Sequence, residues 1–261
     1  KLNNKKRNLL EGNIALITGG GGTIGLAIAK KFLNEGLEGA LFDKTFNYKN
    51  VSVTNILNQC LCIECDLTSD NKINKSVSNL INRFGGIDIL VSNAGAPFQG
   101  SIDTIDEKVI RDSFDINFYA HQKITQKIVR IMKIQNMGGS VMFNLSKQAI
   151  NPGKDFGPYG IAKSSTLFLM KQYALELGKY NIRVNGINAD RIQSGILNND
   201  LITKRAKARN TTKEKYLKNN LLQQEVLAKD VADAFFAQIF LKKTTGNIIT
   251  VDGGNIEASL R

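Results

Sequence analysis

Short apolar runs alternate with helical spacings along almost the whole chain of 261 residues, and that order restricts the fold more than any single motif does. NIALITG (13–19), EGALFD (38–43), CLCIECD (60–66), IDILVSNAG (87–95), SVMFNLS (140–146), IRVNGINA (182–189) and NIITVDGG (247–254) read as strands. Between them, apolar residues recur at helical intervals over 24–34, 72–84, 104–136, 162–179 and 228–241, and 197–222 reads as two polar helices. Strands apolar on both faces need a helical layer on each side, so the sheet is expected to be parallel. Right-handed crossovers then give an α/β, doubly wound sheet with a ligand crevice at the strand carboxyl ends. The length suits one large domain over 13–261, preceded by a basic lead-in at 1–12, with 195–225 as a segment over the crevice.

Composition narrows the partners. Hydrophobic residues make up 42% and charged residues 22%, an ordinary globular balance. The net charge of +12 comes from lysines scattered along the chain, with no long basic run and no nucleic-acid motif. It reads as compositional bias alongside abundant Asn and Ile, and no nucleic-acid partner is expected. Cys60, Cys62 and Cys65 form a CxCxxC cluster of the kind that holds soft metals, but there is no second cluster and the only histidine, His121, is distant. Cys60 and Cys62 alternate with Leu61 and Ile63 as in a buried strand, where free Cys acts as a small hydrophobe. No metal is expected, and an odd, clustered set of thiols fits a reducing compartment. No apolar run approaches the ~20 residues of a helical span, and KLNNKKRNLLEG lacks the apolar core of a signal peptide. A cytoplasmic protein without a membrane partner is expected. The chain does not start with Met, which suggests a piece of a longer polypeptide.

The chemistry-bearing residues cluster at the predicted strand ends. TGGGGTIG (18–25) closes the first strand and opens a helix, so its backbone can approach a pyrophosphate and the helix N-terminus can supply amide donors. Asp43, 18 residues after Gly25, ends the second strand, where a carboxylate accepts from ribose hydroxyls and repels a 2′-phosphate. This is a Rossmann-like arrangement that favours NAD over NADP, although Lys44 next door weighs the other way. Tyr159 and Lys163 lie one helical turn apart, 13 residues after Ser146. A phenol titrates near ~10 and needs help to act as a base, which a neighbouring ammonium supplies.

TGGGGTIG, Asp66 in CDLTS, SNAG at 92–95, Asn117 in DINFYAH, Ser146, and Tyr159 with Lys163 together resemble the short-chain dehydrogenases/reductases, over nearly the whole chain. SKQAINPGKDFGPYGIAK, NADRIQSG and TVDGGN look like the dehydrogenase half of bifunctional proteins that fuse a sugar-phosphate aldolase to such a domain, of the rhamnulose-1-phosphate aldolase/lactaldehyde dehydrogenase type. The resemblance implies Tyr159 as acid/base, Lys163 as its electrostatic aid and ribose ligand, and Ser146 as holder of the substrate oxygen. It implies Asn117 as anchor of a water relay, against the plainer role of a helix-interior residue satisfied by backbone. Cofactor contacts are implied for Gly19, Gly21, Gly22, Thr23, Ile24, Gly25, Asp43, Leu67, Asn93, Ala94, Gly95, Tyr159, Lys163, Asp190, Ile192 and Ser194. Asp66 fits either an adenine contact or, with Thr68, a helix N-cap. Asn93 is expected to fix the turn beneath the cofactor, with Gly95 permitting close approach.

Two departures stand out. Thr23 replaces the family's second loop glycine, with Gly21 or Gly22 as compensation, and Ala189-Asp190 replaces the usual Pro-Gly. Asp190 and Arg191 either pair with each other or Arg191 receives an anionic or polyhydroxylated substrate. The polar 195–225 segment argues against a steroid or long acyl substrate and for a small hydroxylated one. The expected function is hydride transfer between NAD and a small polar alcohol or carbonyl, such as lactaldehyde. The alternative is a non-catalytic NAD-binding module. A homotetramer or homodimer built on 104–136 and 157–179, and a fused upstream aldolase, are implied by the resemblance alone.

Overall fold

The structure is a computed structural model that describes residues 10–195, 197–207 and 209–255; most of the basic lead-in lies outside them. Seven parallel strands form one sheet: β1 Ile14–Thr18, β2 Glu38–Asp43, β3 Leu61–Glu64, β4 Ile89–Ser92, β5 Gly139–Asn144, β6 Ile182–Ala189 and β7 Ile248–Val251. Their order is β3-β2-β1-β4-β5-β6-β7, so the winding reverses between β1 and β4 and opens a crevice there. The expected doubly wound α/β fold is the one found.

Strand alternation divides the core in two. Leu16, Leu90, Val141 and Val184 point to one face, where α3 (Asp70–Phe84), α5 (Ala120–Gln135) and α6 (Gly157–Leu177) pack. Their neighbours Ile17, Val91, Met142 and Ile187 point to the other, under α1 (Thr23–Asn34), α2 (Val51–Leu57) and α9 (Ala228–Phe240). Phe32, Phe42, Phe143 and Phe235 are fully buried, each contributing roughly 1.5–3 kcal/mol of transfer free energy. Among the described residues no helix is long and apolar enough to cross a membrane.

The structure departs from the sequence reading in four places. First, α2 was not anticipated. Second, the 104–136 stretch is not one helix but α4 (Glu107–Phe114), a π-helical turn at Asp115–Tyr119, and α5. Third, α6 begins at Gly157 rather than 162, with Pro158 in its first turn, which brings Tyr159 inside the helix. Fourth, β3 is an edge strand, so Cys60 and Cys62 are only half-buried, while Cys65 beyond the strand end is buried. Burial pushes the Cys60 thiol up to about 12, which keeps it protonated. Among the described residues no three His, Cys, Asp or Glu side chains are grouped to hold a metal ion.

Candidate active site

The glycine loop is set by close packing. A Cβ on Gly25 would lie 2.1 Å from the carbonyl oxygen of Gly19, and one on Gly19, at φ +63°, would lie 2.9 Å from the Ala94 Cα. Gly21 is crowded by the Thr45 carbonyl and the Asp43 carboxylate, whereas a Cβ on Gly22 would meet only the Gly19 oxygen at 3.4 Å. Gly21 is therefore the glycine the fold needs, and Thr23 fits as the first residue of α1. Above this loop lies a hollow of about 380 Å³, lined by Gly19, Gly22, Thr23, Ile24, Gly25, Asp43, Lys44, Leu67, Asn93, Ala94, Gly95 and Ser194, among others. The amides at the start of α1 have no intrahelical acceptors and the cradle has no room for side chains, which fits the pyrophosphate of a dinucleotide.

At one end of the hollow, Asp43 Oδ2 accepts from the Gly21 amide at 2.9 Å and Oδ1 from the Lys44 amide at 2.7 Å. The Lys44 ammonium turns to Asp66, 3.2 Å from its Oδ2. Asp66 Oδ1 accepts from the Thr68 amide and hydroxyl, and the N-cap of α3 is Ser69, so Asp66 does not cap the helix. Burial works against the Asp66 charge, but the bonds from Thr68 and Lys44 hold its carboxyl below the ordinary range. The hollow is walled by Cys65 and Leu67 on either side of it. Asn93 donates to the carbonyls of Thr18 and Gly19 and accepts from Asn144, pinning the turn beneath the hollow.

At the other end, Ser146 follows β5 and Tyr159 sits in the first turn of α6. Both line a second hollow of about 100 Å³. Burial pushes the Tyr159 phenol up to about 12, and a hydrogen bond with the Ser146 side chain opposes that shift. Lys163, one turn on, is 2% exposed and donates to the Asn144 carbonyl at 3.0 Å. Burial drops its ammonium to about 7. In the free protein burial dominates the phenol, and the hydrogen bond with Ser146 is what opposes it. Asn144 lines both hollows, and its buried Oδ1 has no hydrogen-bond partner among the described residues.

Asn117 lies in the π turn and is fully buried. Its amide donates to the Ala96 carbonyl at 3.0 Å and its Oδ1 accepts from the Ala96 amide, while its own carbonyl accepts from Thr166 Oγ1. The side chain, held from within the π turn, therefore ties down Ala96 just beyond the SNAG turn.

After β6, Asp190, Arg191, Ile192 and Ser194 line the second hollow. The Arg191 guanidinium donates to the carbonyls of Tyr216 and Asn219, each at 3.0 Å, and its Nε stands 3.6 Å from Asp190 Oδ2. Arg191 is thereby tied to α8 (Lys213–Leu217) and paired with Asp190. It adopts φ +55°, the left-handed conformation that glycine takes without strain. The 195–225 segment, polar in sequence, turns Leu197, Leu201, Tyr216 and Arg205 toward the hollow. Its inner wall is apolar with one guanidinium, not polar throughout.

Residues 13–205, which carry the glycine cradle, Ser146, Tyr159 and Lys163, match the short chain dehydrogenase family. The chain belongs to that family. This family member is 30% identical over 256 residues to the uncharacterized oxidoreductase YuxG of Bacillus subtilis, covering 92% of this chain and 37% of that protein. It is 33% identical over 184 residues to the human dehydrogenase/reductase SDR family member 4, covering 69% of this chain and 66% of that one. It is 28% identical over 253 residues to the 7alpha-hydroxysteroid dehydrogenase of Escherichia coli, covering 95% and 96%. The chain thus spans little more than a third of YuxG and just under two thirds of the human relative. In fold it matches levodione reductase with a TM-score of 0.86 at 24% identity, covering 96% and 100% of the two chains. It matches NAD+-bound xylitol dehydrogenase with a TM-score of 0.85 at 23% identity, covering 94% and 100%.

Three site residues of this short-chain dehydrogenase escaped the sequence reading. His121, too distant from the cysteines to share a metal with them, lies beside Lys163. Gln148 and Arg205 both line the second hollow. A lone histidine in a helix was a usable signal; a single arginine in a Lys- and Arg-rich segment was not.

Proposed function

We propose that this chain is an NAD-dependent oxidoreductase that interconverts a small polar alcohol and its carbonyl, a hydroxyaldehyde such as lactaldehyde being one candidate. The observation that carries this reading is the placing of Ser146 and Tyr159 in a hollow that shares Asn144 and Ser194 with the glycine-lined one. A non-catalytic binding module has no use for a phenol, hydroxyl and amine gathered at that junction. When bound, NAD(H) accepts or supplies the hydride. Asp43 holds the adenosine ribose hydroxyls, and the amides of the glycine loop take the pyrophosphate. Ser146 holds the substrate oxygen, and Tyr159 gives it a proton during reduction or removes one during oxidation. At pH 7 the phenol of the free protein is protonated, the form that donates to a carbonyl oxygen during reduction.

The preference for NAD is supported by the Asp43 carboxylate and by the pairing of Lys44 with Asp66. A small substrate is supported by the volume of about 100 Å³. A cytoplasmic location is supported by three free thiols among the described residues. A homo-oligomer is supported by Ile161, Phe168 and Leu175, which repeat every seven residues on α6 and are 46%, 70% and 79% exposed. Fusion to an upstream aldolase is supported by the downstream motifs and by the much greater length of YuxG.

Absorbance at the NADH band during incubation with small hydroxyaldehydes and sugar alcohols tests the central reading. Tyr159→Phe should lower turnover by at least about 100-fold, the share a positioned proton donor supplies, and leave NADH binding nearly intact. Unchanged turnover would remove Tyr159 from its role.

A further inference from the structure

The second hollow, which Ser146 and Tyr159 line, also carries a cation that forms no salt bridge among the described residues. The Arg205 guanidinium carbon lies 4.2 Å from the centroid of the Phe156 ring, and Phe156 in turn meets Tyr159 edge-on at 6.3 Å. Phe156 therefore holds Arg205 in place beside the phenol. Among the described residues the Arg205 guanidinium has neither a hydrogen bond nor a salt bridge, although the residue is partly buried. The one carboxylate lining the hollow, Asp190, already accepts from Asn255 and faces Arg191. Arg191 is held by the two carbonyls that tie it to α8. Two guanidinium groups and one carboxylate leave the hollow net positive. Burial lowers the hold of Arg205 on its proton, yet a guanidinium stays charged in proteins and demands compensation when it leaves water. Its planar fork matches an oxyanion in a bidentate fashion.

We propose that Arg205 is the anion-recognition residue of the substrate hollow, selecting small alcohols or carbonyls that carry a carboxylate or a phosphate. The proposal deepens the oxidoreductase reading and rests on it for the identity of the reacting group. The anion sits on Arg205 while the alcohol or carbonyl oxygen sits on Ser146 and Tyr159, which fixes the substrate at two points.

Calorimetric titration of the protein with glycerate, glycerol 3-phosphate and glycerol, with and without NAD, tests this without requiring turnover. At least one anion should bind about 10- to 100-fold more tightly than glycerol, the range a charge-assisted contact supplies. Whichever of glycerate and glycerol 3-phosphate binds more tightly identifies the anionic group. Arg205→Met should erase that advantage, and Arg205→Lys should keep part of it, with melting temperatures close to that of the wild type. Equal binding of glycerol and both anions, or an advantage that survives Arg205→Met, would show that Arg205 merely packs on Phe156 and would overturn the proposal. Selective anion binding without any NAD reduction would instead retire the oxidoreductase reading and leave the anion site standing.

Discussion

Nζ of Lys163 stands 3.4 Å from Nε2 of His121, and both side chains are buried. The other ring nitrogen, Nδ1, lies 2.7 Å from Ser92 Oγ. Burial, followed by the nearby lysine, holds the histidine well below its ordinary value, so the ring is neutral. A neutral ring that carries its proton on Nδ1, facing Ser92, can accept from Lys163 through Nε2. Replacing His121 with Leu removes an acceptor of the ammonium and should push the Lys163 titration below about 7. The Cε chemical shift of Lys163 followed against pH reads this directly, and an unmoved midpoint would show that the contact carries no weight.

The same lysine makes stability depend on pH in a calculable direction. Its value falls from 10.5 in the unfolded chain to about 7 in the folded protein, so between those limits the unfolded state binds more protons. Stability should therefore rise with pH across that window and be lost as pH falls toward 7. Relative to Lys163→Met, the wild type should gain roughly 1.4 kcal/mol per pH unit between about pH 8 and 10. Urea unfolding of both proteins at several pH values checks the slope. Parallel curves would mean that Lys163 keeps its charge in the folded protein.

Asp43 should govern the choice of dinucleotide. Its carboxylate is half-exposed at the end of β2 and anchored to the Gly21 amide, so it meets a ribose hydroxyl at no further ordering cost. Asp43→Ser should weaken NADH binding by about 10-fold, the loss of a charged hydrogen bond, and narrow the gap to NADPH. Fluorescence titration with each nucleotide measures both effects. If NADPH already binds the wild type as tightly as NADH, the carboxylate does not exclude the 2′-phosphate.

How much of this was legible in the sequence depended on whether a signal was local. The strands and most helices announced themselves because two-sided burial leaves continuous apolar runs and one-sided burial leaves a 3.6-residue period. The glycine loop was legible for a similar reason, since Gly25 packs on a carbonyl only six residues away. By contrast, VSVTNIL in α2 is β-branched, and its helix is fixed by the Asn50 cap and by packing of Leu57 that no short window reveals. The π turn at Asp115–Tyr119 preserves an apolar period across its extra residue and so reads as one helix. Cys60 and Cys62 alternate like core residues, but only sheet order tells an edge strand from a central one. Arg205 has the composition of a solvated face, and only its tertiary contact with Phe156 sets it apart from Lys204 and Lys207.

The apolar stripe on α6 leads to a prediction about assembly. Phe168 is 70% exposed and Leu175 is 79% exposed, one above the other on a helix whose opposite side is packed into the core. Water against such a stripe is unfavourable, and a second copy meeting it along a two-fold axis would bury both at once. Phe168→Glu places a charge in that seam without touching the core, since the side chain it replaces already faces solvent in the monomer. Light scattering should give a multiple of 28.7 kDa for the wild type and a value near 28.7 kDa for Phe168→Glu. The variant should also keep its thermal stability at low concentration to within about 0.5 kcal/mol, as surface changes do. A wild type that is monomeric at high micromolar concentration would assign the stripe to another partner.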